Sequence, residues 1–278
     1  MRKTGYILLL MAVCQLGCFT MQAQKEVRIA CIGNSITYGY LIHDREHNSY
    51  PAQLQAMLGR GYEVLNYGSS GKTALHAGGN PYIATQQYRD ALNSNANIIF
   101  IKLGTNDSRP YYRKYIDSFY TDYRELVHTF KILPNHPRVI LLCPVVNFLG
   151  KKPDEPYCTD IPKFIIPVIQ KVATEEHCEM IDLHPLLIDH PEMYPDKLHP
   201  DSAGAHIIAR RLYEYILSGK RSGRVRNPIN TTGIHFTQHT RQWVNGNVVL
   251  FHGNAPKYWN RSHDVYRFSQ TKSFNNTI

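Results

Sequence analysis

Ser35 lies just past the end of an apolar run, Val27-Arg28-Ile29-Ala30-Cys31-Ile32, in the segment Gly33-Asn34-Ser35-Ile36-Thr37. A serine hydroxyl is a poor nucleophile at neutral pH. It needs an imidazole to take its proton, and the imidazole needs a carboxylate to orient it. His199 can be that base. Asp196, three residues earlier in Asp196-Lys197-Leu198-His199-Pro200, can reach round a turn to the other ring nitrogen and fix the tautomer. Two further segments offer donors for a developing oxyanion: Asn66-Tyr67-Gly68-Ser69-Ser70-Gly71-Lys72-Thr73 and Gly104-Thr105-Asn106-Asp107-Ser108. The backbone N–H groups of Ser35 and Gly71 and the side-chain amide of Asn106 make three. Losing one such donor costs about 3 kcal/mol of transition-state stabilisation. Each piece alone is ordinary turn or capping chemistry. The signal is their joint presence, each beside a strand end or the last helix.

The elements that must position these groups alternate from about residue 26 to 217. Strands are expected at Val27–Ile32, Tyr62–Asn66, Ile98–Leu103, Val139–Cys143 and Glu179–Leu183. Runs such as Ile98-Ile99-Phe100-Ile101 are apolar throughout, as in a parallel sheet covered on both faces. Helices are expected at Pro51–Leu58, Tyr82–Leu92, Tyr115–Ile132, Ile161–Glu175 and Asp201–Leu217, with a kink at Pro167. Five strands with intervening helices give a doubly wound α/β sheet, in which chemistry gathers at the carboxyl ends of the strands.

The 278 residues divide into three stretches. Residues 1–24 read as a signal peptide: Arg2 and Lys3, an apolar run from Tyr6 to about Phe19, then small and polar residues. That implies export to the periplasm or outside the cell, with lipoprotein anchoring through Cys18 ranked lower. Residues 25–217 form the body. Residues 218–278 are a basic tail, a small β addition or partly disordered, with a hairpin signal at Val244-Asn245-Gly246-Asn247-Val248. The net charge of +9 belongs to the ends, since the tail carries +8, the leader +2 and the body −1. Cys31 and Cys143 read as inert core thiols, and Cys158 with Cys178 as the better-placed disulfide pair. Beyond the N-terminus no stretch is long and apolar enough for a membrane span.

Three rival readings carry less weight. Asn66-x-x-x-x-Gly71-Lys72-Thr73 nearly matches a phosphate-binding loop, but Gly78-Gly79-Asn80-Pro81 breaks the chain where a helix must begin. His184, His190, His199 and His206 with Asp182 and Asp189 lack a metal-ligand spacing, so no metal or other cofactor is expected. The basic tail has no nucleic-acid recognition motif, and no nucleic acid is expected as a partner.

The four blocks together resemble the SGNH hydrolases, also called GDSL-type esterases and lipases, over about residues 26 to 217. Gly33-Asn34-Ser35 stands for the family's Gly-Asp-Ser, Gly71 for its second-block glycine, Gly104-Thr105-Asn106-Asp107 for its third block and Asp196 to Pro200 for its fifth. Asn34 in place of Asp is the one departure and is not at a catalytic position. The resemblance implies a flavodoxin-like α/β/α fold with a five-stranded parallel sheet. It also implies the triad Ser35, Asp196 and His199, with an oxyanion hole of Ser35, Gly71 and Asn106. The run from Gly33 to Gly39 with Ser49-Tyr50-Pro51 is similar to the branch acting on acetylated sugars, including sialate O-acetylesterase-like and acetylxylan esterase-like proteins. The expected partner is therefore an acylated glycan or other small ester. A lysophospholipase or thioesterase of the same fold is the alternative, and an inactive glycan-binding module a remote one. Tyr38, Asp107, Arg109 and Tyr111 are expected to line the substrate cleft.

Overall fold

A computed structural model of the chain describes residues 26–150, 160–221, 240–244 and 247–251. The expected signal peptide, Cys158 and much of the basic tail lie outside the described residues. Five strands form one parallel sheet: β1 (Val27–Gly33), β2 (Tyr62–Gly68), β3 (Ile98–Lys102), β4 (Arg138–Leu142) and β5 (Glu179–Ile181), in the order β2-β1-β3-β4-β5. This is the doubly wound flavodoxin-like order expected, with its switch point between β1 and β3.

Side-chain alternation along each strand divides the core in two. Ala30, Ile32, Ile99, Ile101, Val139 and Leu141 face one layer. Their neighbours Ile29, Cys31, Ile98, Phe100, Ile140 and Leu142 face the other. The first layer is closed by α4 (Gln86–Leu92), α5 (Phe119–Lys131) and α6 (Ile166–Glu175), through Ala91, Phe119, Tyr123, Phe130, Ile166 and Ile169. The second is closed by α3 (Tyr50–Leu58) and α7 (Ser202–Arg221), through Tyr50, Leu54, Ile208 and Leu212. Burial of each such large side chain stabilises the fold by about 1.5–3 kcal/mol. Cys31 and Cys143 are buried in these layers, where burial pushes both thiols up and away from the reactive thiolate.

The elements depart from the sequence pattern where local chemistry overrides it. Two short helices, α1 (Ser35–Tyr38) and α2 (Arg45–Asn48), fall below the length that periodicity can detect. The expected helix from Tyr82 is a 3-10 turn, Tyr82–Ala84, then α4, because Thr85 starts a new helix by accepting from the Tyr88 N–H at 3.0 Å. The expected helix from Tyr115 begins at Phe119, after a 3-10 stretch over Pro110–Ser118. At Ile161–Ile165 the chain makes a π-helical turn before α6. Pro167 has no N–H to give to the preceding turn, so the expected disturbance appears as that wider turn. The last helix runs to Arg221, four residues past the expected body boundary. Further on, β6 (Thr240–Val244) and β7 (Asn247–Phe251) pair antiparallel with Val244 opposite Asn247, the register of the hairpin expected there.

Candidate active site

The sheet register sets the site. Gly33, the last residue of β1, pairs with Gly68 on one side and Lys102 on the other. The loops leaving β1, β2 and β3 therefore start side by side, at the switch point. The first loop turns at once into α1. Asn34 caps it by accepting from the Ile36 N–H at 3.1 Å. The N–H of Ser35 is the first of that helix, and no acceptor takes it among the described residues. Gly68 is required by this turn, because a Cβ there would lie 2.2 Å from the Tyr38 nitrogen.

Hydrogen bonds lace the three loops together. Ser69 N–H donates to Gly33 O at 2.9 Å. The Asn106 Nδ2 donates to Lys72 O at 2.9 Å, which sets its amide beside the Gly71–Lys72 backbone and leaves its second N–H available. Gly71 has φ 77 in the turn closed by Lys72 N–H to Ser69 O, a left-handed position that glycine fills without strain. No atom within 4 Å would meet a Cβ on Gly71, so this side of the turn is open. The Leu75 N–H donates to Asp107 Oδ1 at 2.9 Å. Asp107 is fully enclosed, and burial pushes its carboxyl up to about 6 against the pull of surrounding backbone N–H groups.

The fourth loop precedes α7. Asp196 Oδ1 accepts from the backbone N–H of Leu198 at 3.0 Å and of His199 at 2.7 Å, closing the turn on its own side chain. Lys197 adopts φ 67 within it, a left-handed position that costs a non-glycine residue about 1–2 kcal/mol. The Phe148 N–H donates to Lys197 O at 2.7 Å and ties the turn to the chain beyond β4. Asp201 then caps α7 through the N–H groups of Ala203 and Gly204, both at 2.9 Å.

These loops bring the three expected groups into one line. His199 Nδ1 lies 2.6 Å from Asp196 Oδ2, and His199 Nε2 lies 2.8 Å from Ser35 Oγ. Burial pushes the Asp196 carboxyl up, but hydrogen bonds from the His199 ring and from the His199 and Leu198 N–H groups outweigh it and hold the carboxyl below its ordinary value. An ionised Asp196 keeps the proton of His199 on Nδ1, which leaves Nε2 as an acceptor toward Ser35. The arrangement can activate a hydroxyl and return its proton to a leaving oxygen.

The expected cleft residues fall differently. Tyr38 is covered by Arg45, whose guanidinium lies 4.0 Å over the ring and donates to Tyr38 O. Asp107 is buried beneath the loops and braces Leu75, away from any open face. Arg109 and Tyr111 are exposed at the start of the 3-10 stretch that follows Asn106. The aromatic ring beside the triad is Tyr40, which packs against the His199 ring and was not singled out from sequence. Its signal was the apolar run Tyr40-Leu41-Ile42, which had no place in any strand or helix.

The rival sites do not assemble. The four histidines engage different partners: His184 the Pro144 carbonyl, His190 the Glu192 carboxylate, His199 the Asp196 carboxylate and His206 the Gln53 side chain. After Lys72 the chain loops out and closes through Thr73 N–H to Asn80 O, with no helix for a phosphate to cap.

Residues 31–207 match the model of the GDSL-like Lipase/Acylhydrolase family. An acetylxylan esterase of Xylanibacter ruminicola is 36% identical over 214 residues, which cover 68% of this chain and 43% of that protein. The chain thus spans less than half the length of this relative. Among solved structures, the carbohydrate acetylesterase Est24 of Sinorhizobium meliloti aligns with a TM-score of 0.57 at 15% identity, covering 69% of this chain and 99% of its own. The aryl esterase of M. smegmatis aligns at 0.56 and 18%, with the same coverage. At such identities the two structures share the fold.

Proposed function

The chain belongs to the GDSL-like Lipase/Acylhydrolase family, and on that premise we propose that it is a serine esterase hydrolysing a small acyl, foremost acetyl, ester of a carbohydrate. The observation that carries this reading is the unbroken line from Asp196 through His199 to Ser35, at 2.6 and 2.8 Å. The acetylxylan esterase relative supports the acetyl and carbohydrate parts.

Ser35 Oγ attacks the ester carbonyl while His199 Nε2 takes its proton. The carbonyl oxygen becomes an oxyanion and is held by the N–H groups of Ser35 and Gly71 and the free N–H of the Asn106 amide. The tetrahedral species collapses as His199 returns the proton to the leaving alcohol oxygen, and the acyl group stays on Ser35. Water then attacks the acyl carbon, with His199 taking the proton of the water and giving it back to Ser35 Oγ. Asp196 stays ionised and steadies the imidazolium in both steps. No step calls for a group outside these residues. Export to the periplasm or beyond is part of the same proposal. It rests on the leader-like pattern of residues 1–24 and agrees with a polymeric glycan substrate.

Replacing the nucleophile tests the proposal. Ser35→Ala should lower kcat on acetylated xylo-oligosaccharides by about 10⁴-fold or more, with an unchanged circular-dichroism spectrum. A folded variant that retains hydrolysis would sink it. Turnover of lysophospholipids or acyl-thioesters in preference to acetylated sugars would move the substrate to the lipid side of the family.

A further inference from the structure

We infer that Tyr40 is a specificity-determining residue, its ring forming the platform on which the leaving sugar of the ester rests. This deepens the proposed function and depends on it. The Tyr40 ring lies 4.9 Å from the His199 ring, centroid to centroid, tilted by 59°. It is nevertheless 45% exposed, although it sits directly on the buried turn that holds Ser35. Its backbone N–H donates to Ser35 O at 2.9 Å, which anchors the Tyr40 backbone to the turn that carries Ser35.

The chemistry decides which part of the substrate meets this ring. When the tetrahedral species collapses, His199 Nε2 must hand a proton to the leaving oxygen, so that oxygen lies within hydrogen-bond reach of Nε2. The carbon skeleton attached to it therefore lies along the imidazole, and Tyr40 is the aromatic side chain packed there. The acyl group extends the other way. The face of an aromatic ring is electron-rich and favours the weakly positive C–H groups of a sugar ring, while the phenol hydroxyl offers a partner to sugar hydroxyls. Leu41, 59% exposed with φ 64, continues the apolar edge outward. Tyr38 cannot take this part, because Arg45 covers it.

The test compares an acetylated methyl xyloside with ethyl acetate, whose leaving group is too small to span the ring. In Tyr40→Ala the ratio of kcat/KM on the xyloside to kcat/KM on ethyl acetate should fall about tenfold. The change should sit mainly in KM, as expected for contact made equally in ground and transition states. Tyr40→Leu, which keeps an apolar contact with His199 without an aromatic face, should show the same fall, and Tyr40→Phe should retain most of the ratio. Equal losses on both substrates, with a displaced pH profile on ethyl acetate, would overturn the inference and make Tyr40 a positioning residue for His199. Wild-type protein that turns over ethyl acetate but no acetylated sugar would overturn the carbohydrate reading, and this inference with it.

Discussion

The rim above the sheet and the flank formed by α5 and the end of α6 each place a histidine Nδ1 on a carboxylate. They differ in what the rest of each group meets. At the rim, His199 and Asp196 approach to 2.6 Å, the His199 side chain is 9% exposed, and its second nitrogen lies on Ser35. On the flank, His128 lies 3.2 Å from Glu176 but is 58% exposed. Glu176 is also shared with Arg124 at 2.8 Å and Lys131 at 3.9 Å, and Lys131 donates to its carbonyl as well. Glu176 caps the carboxyl end of α6, where the helix dipole disfavours a negative charge, and the three basic groups of α5 offset that cost. The pair of residue types is the same in both places. One sets an imidazole against a serine hydroxyl, and the other closes a helix end. A histidine–carboxylate contact therefore points to a site only where the far ring nitrogen meets a hydroxyl and the ring itself is buried.

This contrast can be broken in stages. The largest effect belongs to Asp196→Asn, which leaves the turn in place but permits the wrong tautomer of His199. Loss of about 10⁴-fold in kcat is expected, measured as steady-state hydrolysis of an acetyl ester. A loss under tenfold would remove Asp196 from the reaction. Asn106→Ala should lower kcat by about 10²–10³-fold with a smaller change in KM, since it removes a donor needed only in the transition state. Part of any accompanying loss of stability would come from the freed Lys72 carbonyl, and a urea titration separates the two. The smallest effect is expected on the flank. Glu176→Gln should leave kcat/KM unchanged and cost about 1 kcal/mol of stability, because its basic partners are largely solvated.

The flank also fixes a pH dependence. Burial pushes the Glu176 carboxyl up, but the hydrogen bonds from Arg124 and His128 outweigh it, so the carboxyl is held below its ordinary value. Such a group stabilises the fold above the unfolded carboxylate range, and that contribution is lost as pH falls through the lowered value. The acid limb of the wild-type stability curve should therefore be steeper than that of Glu176→Gln. Coincident limbs would show that the cluster contributes nothing to folding.

Much of the rim was legible in the sequence, and the reasons are physical. Strands such as Ile98–Lys102 are buried on both faces, which leaves an unbroken apolar run from Ile98 to Ile101. The four chemical blocks each follow a strand or precede the last helix, where backbone geometry demands glycine, asparagine or aspartate. The pattern failed where a tertiary contact assigns the role. Tyr38 and Tyr40 are indistinguishable by type and nearly so by position. Only the fold of 38–48 sends Arg45 over the first and His199 against the second. Asp107 reads as a cleft residue because it follows Asn106, yet its carboxylate is spent on the Leu75 N–H, 32 residues away. The 3-10 stretch over Pro110–Ser118 carries an apolar pattern close to that of an α-helix, so periodicity alone could not set where α5 begins.

The sequence distance between Ser35 and His199 has a consequence for the order in which this protein becomes itself. Their hydrogen bond closes a loop with a separation of 164 positions, and the base emerges only with the final helix of the body. A nascent chain carries Ser35 from the outset but lacks the imidazole that meets its hydroxyl. The contact can close only once residues 196–199 have been made and the loop before α7 has met the end of β1. On the proposed function, hydrolysis would report that the body from β1 to the start of α7 has assembled.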